Sequence, residues 1–364
     1  MAGDRARTRV HDKARAESAS TISAGRRSFL RSLAVTAMLG PLTFPARAAT
    51  RESVVDAAKR ESGLVWYDHY DRAASEGLLN AFQRVYPFVR QVEFVDVPSA
   101  QKVAKIVQES MAGGPTSDIL IADAVGLQSM ADRGLLQESD WSGLGVAASP
   151  VTTPNPFMIL TTTAPYVLLY NTRLIKEADV PRTWDETVDP KWKGQVGHWM
   201  RPQFFVTMVA VAGEDKAREL AHKLGALHPR LFDGQFPLAQ SVGSGEVSLA
   251  ITAYDSSVRI IESGAPVKMV AIDPVPTSLL CSGILKYGKN PNTARLFLSW
   301  LATPEGAKIF EKMTKRGNLF VDGTETSKFV KGRKIAYFTP EQAIAQKKKL
   351  NALEVELTRV LAGR

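Results

Sequence analysis

One cysteine, Cys281, stands in 364 residues. A chain with a single thiol forms no internal disulfide, so its stability must come from a packed core. Long apolar runs are also missing. The run Leu33–Phe44 covers 12 residues and is broken by Pro41, whereas a membrane-spanning helix needs about 20. There is no His-Glu-x-x-His, no Gly-x-Ser-x-Gly and no P-loop, which leaves the common hydrolase and nucleotide sites without their residues. Residues 143–148 mimic a dinucleotide fingerprint, but they follow Asp140-Trp141-Ser142 rather than a strand, and the fingerprint works only between a strand and a helix. Basic runs interleaved with aromatics are absent, and Lys347-Lys348-Lys349 is the one basic cluster away from the N-terminus. Nucleic-acid binding is therefore disfavoured.

What is present begins with a leader. Residues 1–25 are polar and basic, Arg26-Arg27 precede Phe29-Leu30, an apolar run follows, and Ala46 and Ala48 form a small-x-small cleavage signal. That order is the order of a secretory signal over residues 1–48. Gly25-Arg26-Arg27-Ser28-Phe29-Leu30-Arg31 resembles a twin-arginine export motif, which implies export of a folded, periplasmic protein. Residues 1–48 hold nine Lys+Arg against three Asp+Glu, so +6 of the net +9 belongs to the leader and +3 remains. The 316 residues that remain suffice for two domains, and 45% hydrophobic content suits a globular fold.

The first third of this mature part alternates strands and amphipathic helices: "GLVWY", then Leu78, Leu79, Phe82 and Val85 at helical spacing, then "QVEFVDV", then a helix with Val103, Ile106, Val107 and Met111 on one face, then "SDILIAD". This alternation predicts an α/β sheet with largely parallel strands. Proline-rich "VTTPNPFMILTTTAPYVLLYN" leads into a new strand. Later come a helix around Phe205 and Val209, a strand over Val247–Ala253, two helices in "NPNTARLFLSWLATPEGAKIFEKM", and a last helix opened by the capping box Thr339–Gln342, with Leu350, Leu353 and Leu357 as its stripe.

Several local patterns occur in a telling order: "SDILIADAVGLQSMADRGLLQ", "YNTRLI" before "VPRTWDETVDPKWKGQVG", "GSGEVSLAI", "ESGAPVKMV" and "NPNTARLFLSWLATPEGAKIF". Over roughly residues 60–320 the chain resembles bacterial extracellular solute-binding proteins of ABC importers, in the iron(III)/small-solute branch. The resemblance implies a two-lobed α/β fold of the type II periplasmic-binding kind. One lobe would comprise 49–158 plus 277–364 and the other 165–270, with hinge crossings near 159–169 and 270–283. Ligand would bind between the lobes, and closure would present the protein to an inner-membrane ABC permease.

Candidate contacts follow from strand ends, because ligand crevices in open α/β sheets lie outside the carboxyl ends of the strands. Asp68, His69 and Tyr70 end the first strand and either touch ligand or form a polar turn, with Asp71 better suited to capping the next helix. Asp123 either touches ligand or caps a helix. The resemblance puts Tyr166 at the first crossing among polar contacts, with hinge packing as the alternative. Arg201 is the candidate fork for a carboxylate or phosphate, with a solvated surface role as the alternative. Tyr254, Asp255 and Ser256 follow a second-lobe strand and should face the cleft. Iron-binding relatives carry adjacent tyrosines there, whereas this chain has Tyr254 followed by Asp255. His69 and Asp68 could still join Tyr254 around a metal, so the metal question stays open.

The expectation is a monomeric, non-enzymatic, cofactor-free receptor for a small polar or anionic solute. Fe(III) binding and an exported hydrolase or transferase on the same scaffold are the alternatives.

Overall fold

The computed structural model describes residues 50–363 except 98, 115, 149, 150, 152 and 153. The expected leader over residues 1–48 lies outside the described residues. In chain order the elements are α1 Arg51–Glu61, β1 Gly63–Asp68, α2 Arg72–Val85, β2 Gln91–Asp96, α3 Ser99–Met111, β3 Ile119–Asp123, α4 Ala124–Asp132, β4 Leu136–Gln137 and β5 Ile159–Asn171. There follow β6 Val196–Trp199, α5 Gln203–Ala226, β7 Arg230–Phe232, α6 Gln235–Ser244, β8 Leu249–Ala253, α7 Tyr254–Glu262, β9 Val267–Val270 and β10 Val275–Leu285. The chain ends with α8 Pro291–Leu301, α9 Pro304–Thr314, α10 Glu325–Phe329, β11 Ile335–Ala336, α11 Pro340–Ala345 and α12 Lys347–Leu361. Among the described residues no helix is long and apolar enough to cross a membrane.

The fold is α/β and two-lobed, of the type II periplasmic-binding class. Its strands run in the order β2-β1-β3-β10-β5-β8-β6-β7. Outer pairs are parallel, as strand–helix alternation predicts: β1 with β2 and β3, β6 with β7 and β8. The middle is antiparallel, because β10 returns between β3 and β5. β5 is 13 residues long and serves both sheets. Its first half pairs with β10, and from Tyr166 onward it pairs with β8 and β9. The segment from β9 into β10 runs back along the same edge of β5, so two crossing strands lie side by side.

Each lobe buries its own core. Trp66, Phe82, Phe297 and Phe310 anchor one, and Tyr170, Trp184, Trp192, Phe204 and Phe205 the other. Apolar patterning places most helices correctly, with three corrections. On α3, Val103 is 41% and Met111 81% exposed, while Lys102, Ile106 and Ser110 face inward; a buried partner for Lys102 sets that rotation, as described below. The last helix is two helices, broken at Gln346, although the Thr339 capping box forms. On α5 the helix is interrupted at Gly213, whose φ of 80° and ψ of 170° are open to glycine and strained for other residues.

The C-terminus also departs from the expected grouping of 277–364 with the first lobe. Ile344 of α11 packs into the core beneath α4, but Leu353, Leu357 and Leu361 of α12 join the second-lobe core with Leu220 and Leu224 of α5. Residues at i, i+4 and i+8 form one stripe, and the groove on α5 accepts it because Gly225 lacks a Cβ, which would sit 2.9 Å from the Val360 carbonyl oxygen. Arg218 pairs with Glu356 at 2.8 Å along the same seam. α11 and α12 thus pack on different cores. Leu357 is fully buried, so Leu357→Ala is expected to cost about 2–5 kcal/mol, read as a lower urea midpoint.

Candidate functional site

The carboxyl end of β1 in one lobe faces the β8–α7 junction in the other. Asp68 closes β1 and is 1% exposed. One carboxylate oxygen accepts from Lys102 Nζ at 2.9 Å, and the other accepts from the His69 backbone N–H at 2.9 Å and lies 2.9 Å from His69 Nδ1. Lys102 is itself 7% exposed and donates also to the Ile121 carbonyl. This pair explains the rotation of α3: a buried carboxylate demands a cation, and leaving either charge alone costs more than burying a valine gains. Burial alone would raise the Asp68 pKa, but Lys102 and His69 overcome it and hold the carboxyl well below the usual carboxylate range.

Tyr70 lies beneath this pair, stacked on His69 with ring centroids 5.7 Å apart and packed edge-on against Phe310. Its hydroxyl accepts from Arg316 at 3.0 Å. Burial raises the Tyr70 pKa, against the pull of Arg316. Arg316 follows α9, after Lys315 at φ 64° has turned the chain in a left-handed cap. That conformation disfavours a residue with a Cβ. The turn sends Lys315 to Glu262 at 2.8 Å and Arg316 to Asp255 at 2.8 Å. Gly317 comes next, where a Cβ would collide with the Glu311 carboxylate. Glu311 in turn accepts from the backbone of Glu325 and Thr326, fixing α10.

Asp255 stands in the first turn of α7 and is 6% exposed. The register explains why it meets the crossing: Tyr166 on β5 pairs with Ala253, the last residue of β8. Tyr166 is buried, and that burial pushes its phenol pKa up to about 12. Ser256 is buried in the same turn.

The structure therefore brings Asp68, His69, Tyr70, Tyr166 and Asp255 to one interlobe surface. Other candidates stand differently. Asp123 is exposed and caps α4 through the Gly126 N–H at 2.8 Å. Asp71 caps α2. Tyr254 turns its ring onto Phe329, with centroids 4.9 Å apart, and burial raises its pKa. Arg201 lies over the Trp199 ring and pairs with Glu354 of α12 at 3.2 Å, so its fork is already engaged. Sequence reading missed Lys102 and Arg316. Lys102 shares a helix face with Ile106 and Ser110, but its carboxylate partner is 34 residues away in the chain. Arg316 carried no signal, being 246 residues from Tyr70 in the chain.

Beside the Arg316–Asp255 pair lies a cavity of about 280 Å³ lined in part by Tyr70, Asp71, Arg259, Glu262 and Lys315. A larger depression of about 570 Å³ separates α5 from α11 and α12 and holds none of the candidate residues. Among the described residues no group of three or more His, Cys, Asp or Glu is placed to hold a metal ion.

A family profile described as bacterial extracellular solute-binding protein matches residues 114–320. No curated protein matches the chain. Among solved structures, iron-bound HitA from Pseudomonas aeruginosa superposes with TM-score 0.67 at 20% identity, covering 81% of this chain and 99% of that one. The periplasmic binding protein AfuA from Actinobacillus pleuropneumoniae, with fructose-6-phosphate bound, gives 0.67 at 21%, covering 82% and 99%. The substrate-binding protein of an ABC transporter from Agrobacterium tumefaciens gives 0.70 at 17%, covering 82% and 94%.

Lys102→Met leaves the Asp68 carboxylate buried without its cation, with an expected loss of about 3–5 kcal/mol at neutral pH. The folded pKa of Asp68 is depressed, so its stabilisation is complete above the unfolded carboxylate value of about 4 and is lost as pH falls through the folded value. In Lys102→Met that depression shrinks, so the acid-unfolding midpoint should move to higher pH. An unchanged acid limb by circular dichroism would break the assignment.

Proposed function

Because the chain belongs to the bacterial extracellular solute-binding protein family, we propose that it is the substrate-binding component of an ABC transporter. It captures a small polar or anionic solute between its lobes outside the cytoplasm and delivers it to an inner-membrane permease. The observation that carries this reading is the meeting, at one buried surface, of the carboxyl end of β1 from one lobe with the β8–α7 turn from the other, bridged by Arg316. A ligand seated there is removed from water on both sides, where hydrogen bonds to ionised groups are worth more than at an exposed surface. The twin crossing strands supply a hinge, and closure gives the permease a surface that reports occupancy.

Iron is the second reading, supported by the iron-bound HitA structure among those similar in fold. It has less support in this chain. Tyr254 is packed on Phe329 and its phenol is raised in pKa, which opposes a phenolate ligand, and Asp68 is already matched by Lys102. The hydrolase or transferase reading needs a nucleophile and a base in the cleft, and the two carboxylates gathered there are held by Lys102 and Arg316.

Native mass spectrometry with metal analysis tests these readings together. One organic solute per chain, recovered with unchanged mass after prolonged incubation, is expected. Stoichiometric iron would put the second reading in its place, and a chemically altered product would make the protein an enzyme. Closure is followed with labels at Lys59→Cys and Lys193→Cys, one per lobe. Cys281 is buried and its thiol pushed up to about 12 by that burial, so it stays unlabelled. The label distance should shorten when the recovered solute is added back.

A further inference from the structure

We propose that the solute is a small zwitterion, read by Asp255 and Arg316, with its ammonium on the aspartate and its oxyanion on the arginine. This rests on the cleft being the solute site and names the class of molecule it takes.

Two atoms carry the inference. Asp255 Oδ1 and Arg316 Nε are buried and have no hydrogen-bond partner among the described residues, although the two side chains are joined through their other atoms at 2.8 Å. A buried polar atom without a partner is rare, and an ionised one is costly to leave so. One unpaired atom is an acceptor on an anion and the other a donor on a cation, and they come from opposite lobes. A ligand that supplies a donor to the first and an acceptor to the second satisfies both and ties the lobes together.

Charge bookkeeping around the pair points the same way. Asp68 is matched by Lys102. Arg259 and Glu262 follow Asp255 at four and seven residues along α7, on one helix face, and they line the adjoining cavity with Asp71 and Lys315. These wall charges balance: two acidic, two basic. At the buried Asp255–Arg316 pair, whose charges already balance, a net anion or a net cation would bring an uncompensated charge, at a desolvation cost. A zwitterion brings none. At about 280 Å³ the cavity is at the small end for ligand pockets.

The test uses the mature chain with β-alanine and γ-aminobutyrate as zwitterions, propionate and butyrate as matched anions, and n-propylamine and n-butylamine as matched cations. Thermal shift and calorimetry are read on wild type, Asp255→Asn and Arg316→Gln. Each zwitterion should bind wild type about tenfold or more tighter than its anion and its cation, the worth of one charge-assisted hydrogen bond. Asp255→Asn should erase the advantage over the anion, and Arg316→Gln the advantage over the cation. A merely structural pair would weaken all probes alike, which overturns the proposal. So does a wild type that binds the anions as well as the zwitterions, or binds neither zwitterion. If either variant fails to fold, the wild-type comparison decides. The solute-binding reading fails separately, if the low-molecular-mass fraction of a cell extract also leaves wild-type Tm unmoved.

Discussion

One strand, β5, hydrogen-bonds to both sheets, and the geometry of the cleft depends on it. Its first half is held by β10 and its second by β8 and β9. Because the strand is continuous, the register in one lobe fixes the register in the other. A slip of one residue would turn every side chain on it to the opposite face. Tyr166 sits where the pairing changes hands, opposite Ala253, and the first turn of α7 begins at the next residue. The placing of Asp255 beside Tyr166 is thus a consequence of strand register rather than of any local motif.

Within that frame, the cleft is organised by buried charge. Asp68–Lys102 lies inside one lobe and fixes the rotation of α3. Arg316–Asp255 lies between lobes, with side-chain exposures of 14% and 8%. The two pairs differ in consequence. The first must persist in any arrangement of the lobes, because both partners ride on the same core. The second joins α7 to the segment after α9, so it depends on how these two parts of the molecule meet. Lys315–Glu262 spans the same gap nearer to solvent, where ions screen it and its contribution is small. The left-handed turn at Lys315 and the missing side chain at Gly317 let one short segment reach both partners.

Much of this was legible in the chain. Strand–helix alternation, Asp68–Tyr70 at a strand end, Asp255 after a second-lobe strand and the Thr339 cap are local, and local spacing encodes them. The α3 face was misread because Val103 and Met111 look like core residues, whereas a lysine looks like surface. The helix obeys the buried carboxylate of Asp68, and that carboxylate is 34 residues away. Arg201 looked like a ligand fork because it precedes Pro202 and a helix and its guanidinium suits a carboxylate or phosphate. Its engagement by Glu354 required knowing that α12 returns to the second lobe, and an apolar stripe does not name its partner groove.

By itself, then, the sequence determined the order of elements, the α/β class, the dependence on a packed core and the strand ends from which a site could be built, while the two lobes were implied by the family resemblance. Periodicity, capping and the scarcity of cysteine are properties of neighbouring residues, and these a linear chain displays. Only the tertiary structure decided which charges neutralise which. Lys102 is committed to Asp68, Arg316 to Tyr70 and Asp255, and Arg201 to Glu354. Electrostatic energy depends on distance and burial in space, and residues up to 246 positions apart acquire both only when the lobes are assembled.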